Sequence, residues 1–218
     1  KLLVGSTCTK PPQKGFCRNA LTIEEKKAIF DALKDIKPWS IDNNLIGNVK
    51  KKIREFHLNR MGHKCCYCRT PLKDRNIETD REHIIPKSME KKLSYNIFNL
   101  SVSCKRCNMT YKGDTEEHIV NKDNLIRKLR DSTNYYIPHP NIDSYDDNIF
   151  HFHLISGEIE VCFYKPRTPK GEILSSMFLL KNLETFTLDK SQAPAQIKTL
   201  KDELSAVKCM IDKLASGL

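Results

Sequence analysis

Two short cysteine pairs constrain this chain more than any other feature. They are Cys65-Cys66-Tyr67-Cys68 and Cys104-Lys105-Arg106-Cys107, separated by 35 residues. A C-x-x-C turn points two sulfurs at one ion, and a second turn closes a tetrahedral shell. Cys65, Cys68, Cys104 and Cys107 are therefore expected to bind one structural Zn²⁺, with Cys66 facing away. Whatever fold the intervening residues take, it must bring the chain back to where it left the first pair. A closed four-sulfur shell leaves no coordination position for a substrate. The zinc is expected to hold the fold, and its removal to unfold this region. The chain has nine cysteines, an odd number at uneven spacing, and Lys1 to Gly5 do not open an export signal. Such usage reads as metal binding in a reducing, cytoplasmic compartment rather than as a disulfide framework.

The segment enclosed by the pairs carries residues with chemistry. It holds Asp80-Arg81-Glu82-His83-Ile84-Ile85-Pro86-Lys87, then Asn96-Ile97-Phe98-Asn99-Leu100, with Asn108 and Lys112 after the second pair. Hydrolysis of a phosphodiester needs a base to activate water and a divalent cation to meet the charge developing on phosphate. It also needs a group that fixes the base's orientation. One histidine, neighbouring carboxylates and a carboxamide can supply all three. Asp80 and Glu82 alternate on a strand and so share a face. Asn108 directly follows a zinc ligand, and Lys112 lies one helical turn further on. Mg²⁺ or Mn²⁺ prefers oxygen donors and keeps several waters, which suits carboxylates plus a carboxamide.

The run E-H-I-I-P, then N-L, then C-x-x-C-N-x-x-x-K resembles the HNH endonucleases of the zinc-ribbon kind, from Cys65 to Lys112. That family includes modification-dependent restriction enzymes and the HNH domain of CRISPR effector nucleases. The resemblance implies two antiparallel strands and a helix around one catalytic metal. It implies that His83 is the general base and that Glu82, where the family usually has Asp or His, is a metal ligand. Asp80 would support the same ion, Asn99 would hold the active loop in shape, and Asn108 would be a second ligand. Lys112 would touch phosphate. DNA as the substrate follows from the family alone. A looser resemblance joins His139-Pro140-Asn141-Ile142-Asp143 and Tyr145-Asp146-Asp147 to the HNH subunits of Septu-type and retron-associated anti-phage systems. It implies an antiviral defence role and an ATPase partner subunit that controls the nuclease.

Taken together, the elements describe an α+β chain. By the resemblance its core is a ββα-metal unit on the four-cysteine knuckle, and the residue patterns add flanking helices, a C-terminal β-hairpin and a terminal helix. Residues 1–20 read as an arm rich in Pro, Gly and Lys. Residues 21–62 read as a helical segment: Thr22 and Glu25 form a capping box for a helix over 22–36, with Ile29, Phe30, Leu33 and Ile36 at helical spacing, and Pro38 ends it. A second helix is expected over 42–60 on Leu45, Val49, Ile53, Phe56 and Leu58. Residues 63–130 form the core, including a helix over 115–130 that turns Ile119, Leu125, Ile126 and Leu129 inward. Residues 131–218 hold a loop over 135–147, a hairpin of 149–155 and 158–164, a short helix over 172–182 and a partner-binding region. In that last part Ile197, Leu200, Leu204, Val207, Ile211 and Leu214 form a heptad seam. Such a seam serves either a helix packed on its own domain or a coiled coil with a second chain, so a homo-oligomer and a partner subunit both stay open.

Charge bears on the partner. Lys and Arg number 37 against 27 Asp and Glu, a net charge of +10, which favours a polyanion. Lys50, Lys51, Lys52, Arg54, Lys91 and Lys92 lie near the motif, and Lys87, Lys105, Arg106 and Lys112 lie within it. Together they could neutralise phosphates, and the last four are the expected nucleic-acid contacts. No apolar run approaches the ~20 residues of a membrane span. The alternative reading is a zinc-ribbon module that binds nucleic acid without chemistry. It would keep the cysteines but would not need Glu82, His83 and Asn108 in register.

Overall fold

The computed structural model describes residues 20–72, 79–156 and 159–186, together with Cys209. The chain divides into two compact units, Lys1–Tyr145 and Asp146–Leu218.

The first unit opens with helix α1 (Ile23–Ala32). Its capping box forms as the sequence indicates: Glu25 N donates to Thr22 Oγ1, and Thr22 N donates to Glu25 Oε2. The same carboxylate accepts from Lys52 Nζ at 2.8 Å, which ties α1 to helix α2 (Asn44–Arg60). The first helix stops at Ala32, four residues short of its expected end. Asp35 there draws Lys37 N to its own side chain, and Pro38 disfavours helical backbone before it. Ile36, beyond the helix end, is consequently exposed; Phe30, inside the helix, also faces solvent. In α2, Ile46, Val49 and Ile53 fall on one stripe and are buried, while Leu45 lies off it and is exposed.

That stripe packs on a small antiparallel hairpin, β1 (Thr79–His83) and β2 (Leu100–Cys104). The register pairs Asp80 with Ser103, Glu82 with Ser101, and His83 with Leu100. Ile84, Ile85, Leu93, Phe98 and Leu100 fill the core between hairpin, loop and α2. A helix wound with π spacing follows, Arg106–Lys112, with Gly113 N donating to Asn108 O. Strand, loop, strand and helix thus follow one another, as the family resemblance implied.

The helix expected over 115–130 does not form. Only α3 (Leu125–Lys128) is helical there. Thr115 and Asn121 side chains accept from backbone two residues on, and Asn124 takes a left-handed conformation (φ 56°). Short polar side chains that bond the local backbone compete with helix, and here they win. Ile119 is buried beside Tyr135, whereas Ile126 is exposed.

The second unit has a three-stranded antiparallel sheet, β3 (Ile149–Ser156), β4 (Ile159–Pro166) and β5 (Thr185–Phe186), in that order. The first two are the expected hairpin; the two-residue β5 carries no sequence signal. Helix α4 (Pro169–Met177) begins three residues before the expected 172, because Thr168 caps it by accepting from Gly171 N and Pro169 fits its first turn. It also ends earlier, and Leu180–Leu183 form a separate turn behind Leu179 in left-handed conformation (φ 44°). The backbone at Gly171 approaches the Asn148 carbonyl too closely for any side chain. The heptad seam at 197–214 and nearly all of the N-terminal arm lie outside the described residues. Among the described residues, no helix is long and apolar enough to cross a membrane.

Candidate metal centre and active site

Cys65 and Cys68 sit on a tight turn in which Arg69 N donates to Cys65 O and Arg69 takes φ 61°. Cys104 ends β2 and Cys107 lies in the first turn of the π-helix. All four sulfurs lie within 4.8 Å of one another, and each residue is buried. Cys68 Sγ and Cys104 Sγ are 3.7 Å apart. A Zn–S bond of ~2.3 Å in a tetrahedron requires sulfurs about 3.8 Å apart, and a disulfide would require ~2.05 Å. The cluster fits a structural zinc ion. Burial first, then the neighbouring Cys104 thiol, pushes the Cys65 thiol well above its usual range, and a dication would allow four thiolates in this volume. Cys66 is buried but outside the group. Among the described residues, no other set of three His, Cys, Asp or Glu side chains comes close enough to share an ion. His151 and His153, alternate on β3, instead contact Cys162 Sγ (3.7 Å) and Glu160 Oε1 (2.8 Å).

One face of the β1–β2 hairpin is polar. Asp80 and Glu82 project from β1, with Ser103 and Ser101 opposite them on β2. The π-helix runs back along this face and brings Asn108 to Asp80 and Lys112 to Glu82. The match is one of spacing: residues two apart on a strand rise about 6.6 Å, close to the 5–6 Å between helix residues four apart. Asn108 Nδ2 donates to Asp80 Oδ2 at 2.8 Å. Lys112 Nζ stands 2.9 Å from Glu82 Oε1, in an ion pair with both side chains almost wholly inaccessible. Tyr67 Oη donates to the same oxygen at 3.0 Å. Burial raises the Glu82 carboxyl above its usual range, against the opposing pull of Lys112 and Tyr67. Glu82 Oε2, Ser101 Oγ and Ser103 Oγ are buried with no hydrogen-bond partner. Unsatisfied oxygens beside a half-exposed carboxylate and carboxamide form a donor set that suits a hard divalent cation.

His83 faces the other way. Its Nε2 lies 3.0 Å from Ser94 O, and a carbonyl only accepts. Nε2 therefore carries the proton and Nδ1 the lone pair. Burial, then the positive charge of Lys87, pull its pKa down to about 3. The imidazole is neutral at neutral pH. Asn99 staples the loop between the strands: its Nδ2 donates to Ile85 O at 3.0 Å, and its Oδ1 accepts from Ile85 N at 2.8 Å. His118 Nε2 meets Ile84 O at 2.7 Å from the far side. The His139–Asp143 segment reinforces the same loop. Asn141 Nδ2 donates to Phe98 O and Leu100 O, both at 2.8 Å, and Arg60 holds the Asn141 oxygen.

Of the expected phosphate contacts, Lys87 and Lys105 are exposed and Arg106 is half-buried, its guanidinium 4.3 Å from the Tyr111 ring. Lys112 is buried on Glu82 instead of facing solvent. Tyr67, Ser101, Ser103 and Trp39, which stands 4.5 Å from the His83 ring, belong to the site and went unremarked in the sequence. Only Tyr67 had a signal, its place inside the first cysteine turn. Residues 65–114 match the family model of the HNH endonucleases, and form an HNH endonuclease domain. No curated protein and no solved structure matches the chain.

Proposed function

With an HNH endonuclease domain at residues 65–114 as the premise, we propose that the chain is a metal-dependent endonuclease that hydrolyses DNA phosphodiester bonds. The observation that carries this is the arrangement at the end of β1. A neutral histidine with an oriented lone pair directly follows Glu82 in the chain, the oxygen donors lie on the other face of the same strand, and both are carried by a hairpin anchored on the four-cysteine cluster. His83 Nδ1 takes the proton of the attacking water. Asp80, Glu82 and Asn108 would hold Mg²⁺ or Mn²⁺, which would supply stabilisation of the charge developing on the phosphate. Asn99 keeps the loop, and so the His83 ring, in place. Lys112 and Tyr67 offset the burial of Glu82. Lys87, Lys105 and Arg106 contact phosphates.

A base held at about pKa 3 is weak at neutral pH. Its depression comes partly from Lys87, Lys112 and Arg81. A bound phosphodiester would offset that part of the depression, while the larger part, which comes from burial, stays.

Plasmid cleavage by zinc-loaded protein with Mg²⁺ or Mn²⁺, beside His83→Ala, tests the reading. Cleavage by wild type and a loss of about 10²–10⁴-fold in the variant is expected for removal of a general base. A buried Glu82–Lys112 pair favours a second reading, a zinc-ribbon module that binds nucleic acid without cutting it. In that case the protein binds DNA, never cuts it, and is indifferent to His83→Ala. The fit of the His139–Asp143 segment to the looser anti-phage resemblance extends the proposal to a defence complex with an ATPase partner. Copurification of such a subunit from the host supports that extension, and a monomer fully active alone counts against it.

A further inference from the structure

The His83 side of β1 carries a second group of charges, across the strand from Asp80 and Glu82. Half-exposed Trp39 lies at its middle. The Trp39 and His83 rings meet edge to face, centroids 4.5 Å apart at 89°, and Tyr95 lies 5.2 Å away. Lys50 Nζ stands 5.3 Å from the indole centroid, and the Arg81 guanidinium 5.9 Å. Arg81 and His83 alternate on β1, so both address this side. Lys87 follows His83 by one short turn of the loop and is exposed.

These cations repel one another. The Lys50 ammonium is held below its usual range first by burial, then by Arg81, with Lys87 adding to the effect and Asp42 opposing it. The core does not require the crowding, because the Arg81 and Lys87 side chains are exposed. Lys50 Nζ donates to Ile41 O at 2.8 Å, which relieves part of its charge; gathering the three cations around one aromatic ring is still costly, and an anion would relieve the rest.

We propose that Lys50, Arg81, Lys87 and Trp39 form a phosphate-binding subsite for a nucleic-acid backbone passing His83, separate from the donors on the opposite face. The identity of the anion as nucleic acid rests on the nuclease reading. The backbone is gripped on the His83 side by three cations, and its sugar or base lies against the open part of the indole. Trp39 holds the imidazole by its edge while its surroundings read the incoming phosphate.

The chain has one tryptophan, so its intrinsic emission reports on this residue alone. The zinc-loaded chain is titrated with a short DNA duplex without added Mg²⁺ or Mn²⁺, so that nothing is cut. A change in Trp39 emission that saturates with binding is expected. Arg81→Ala and Lys87→Ala should each lower the salt slope of binding by about 0.9 and shrink the emission change. Lys105→Ala removes the same charge away from Trp39; it should lower the slope and leave the emission change intact. The exposed charge variants avoid the risk that a Trp39 variant fails to fold. Binding that saturates by anisotropy of a labelled duplex with no change in Trp39 emission, and with slopes unaltered in the Arg81 and Lys87 variants, overturns the subsite. So does absence of DNA binding. Cleavage is a separate readout. Cutting without the emission change removes the subsite and keeps the nuclease reading; both subsite signatures without cutting do the reverse.

Discussion

Replacing Lys112 with Met removes the ammonium from a carboxylate that has nowhere to go. The side chains of Glu82 and Lys112 are 0% and 2% accessible, and the pair is 2.9 Å apart. What remains on Glu82 is one hydrogen bond, from Tyr67. Breaking one side of a buried ion pair costs about 3–5 kcal/mol. At a urea m-value near ~2 kcal/mol/M, the midpoint should fall by roughly 1.5–2.5 M. The emission of Trp39 is a local probe, since that residue packs against the core of this unit. Glu82→Gln/Lys112→Met leaves no buried charge, and should be more stable than the sum of its single variants by roughly 1–3 kcal/mol. The effect also has a pH signature. The Glu82 carboxyl titrates above its ordinary 4.5 in the folded protein. The folded state thus binds the proton more tightly, and this group's contribution to stability falls as pH rises from 4.5 through the raised value. Losing Lys112 raises that value further, so the penalty should be larger at pH 8 than at pH 5. A midpoint shift below ~0.5 M, or strict additivity in the double variant, refutes the argument. Lys112 would then spend its time in solvent, where it could meet phosphate.

Chelation of zinc should unfold the knuckle, since structural zinc sites contribute about 10–16 kcal/mol against a typical domain stability of 5–15 kcal/mol. Metal analysis should find one zinc per chain, lost in Cys104→Ser; native circular dichroism and Trp39 emission after metal removal would contradict the structural role. His57 is fully buried, and burial pulls its pKa from 6.5 to about 3. Below pH 6.5 the unfolded chain takes up a proton that the folded chain refuses, so stability drops by about 1.4 kcal/mol per pH unit from this group. Between pH 7 and pH 5, wild type should lose about 2 kcal/mol more than His57→Leu, measured by denaturant midpoints; equal losses would mean the ring is protonated in the fold. In the second unit, Gly171→Ala would push a methyl into the Asn148 carbonyl, and should destabilise by about 1–3 kcal/mol or more. A melting temperature unchanged in that variant would show that the start of α4 can shift at no cost.

Local signals were legible wherever a short stretch contains its own reason. The cysteine turns, the Thr22–Glu25 capping box, the buried stripe of α2 and the period-two hairpin of β3 and β4 each depend on residues within about one or two turns of one another. The same logic misled at 115–130, where apolar spacing pointed to a helix but Thr115 and Asn121 bond the local backbone and Asn124 takes a left-handed conformation. Tertiary structure alone decided who faces whom. The β1–β2 register sets Ser101 and Ser103 against Glu82 and Asp80, and the return of the π-helix sets Lys112 on Glu82 rather than in solvent. Asn141 reaches a loop 41 and 43 residues earlier. Trp39 arrives at His83 from a turn that has no motif at all. Spacing along a chain encodes the periods of helix and strand; it carries no record of which distant side chain closes a charge or covers a ring, because that is settled by packing and burial once the elements have met.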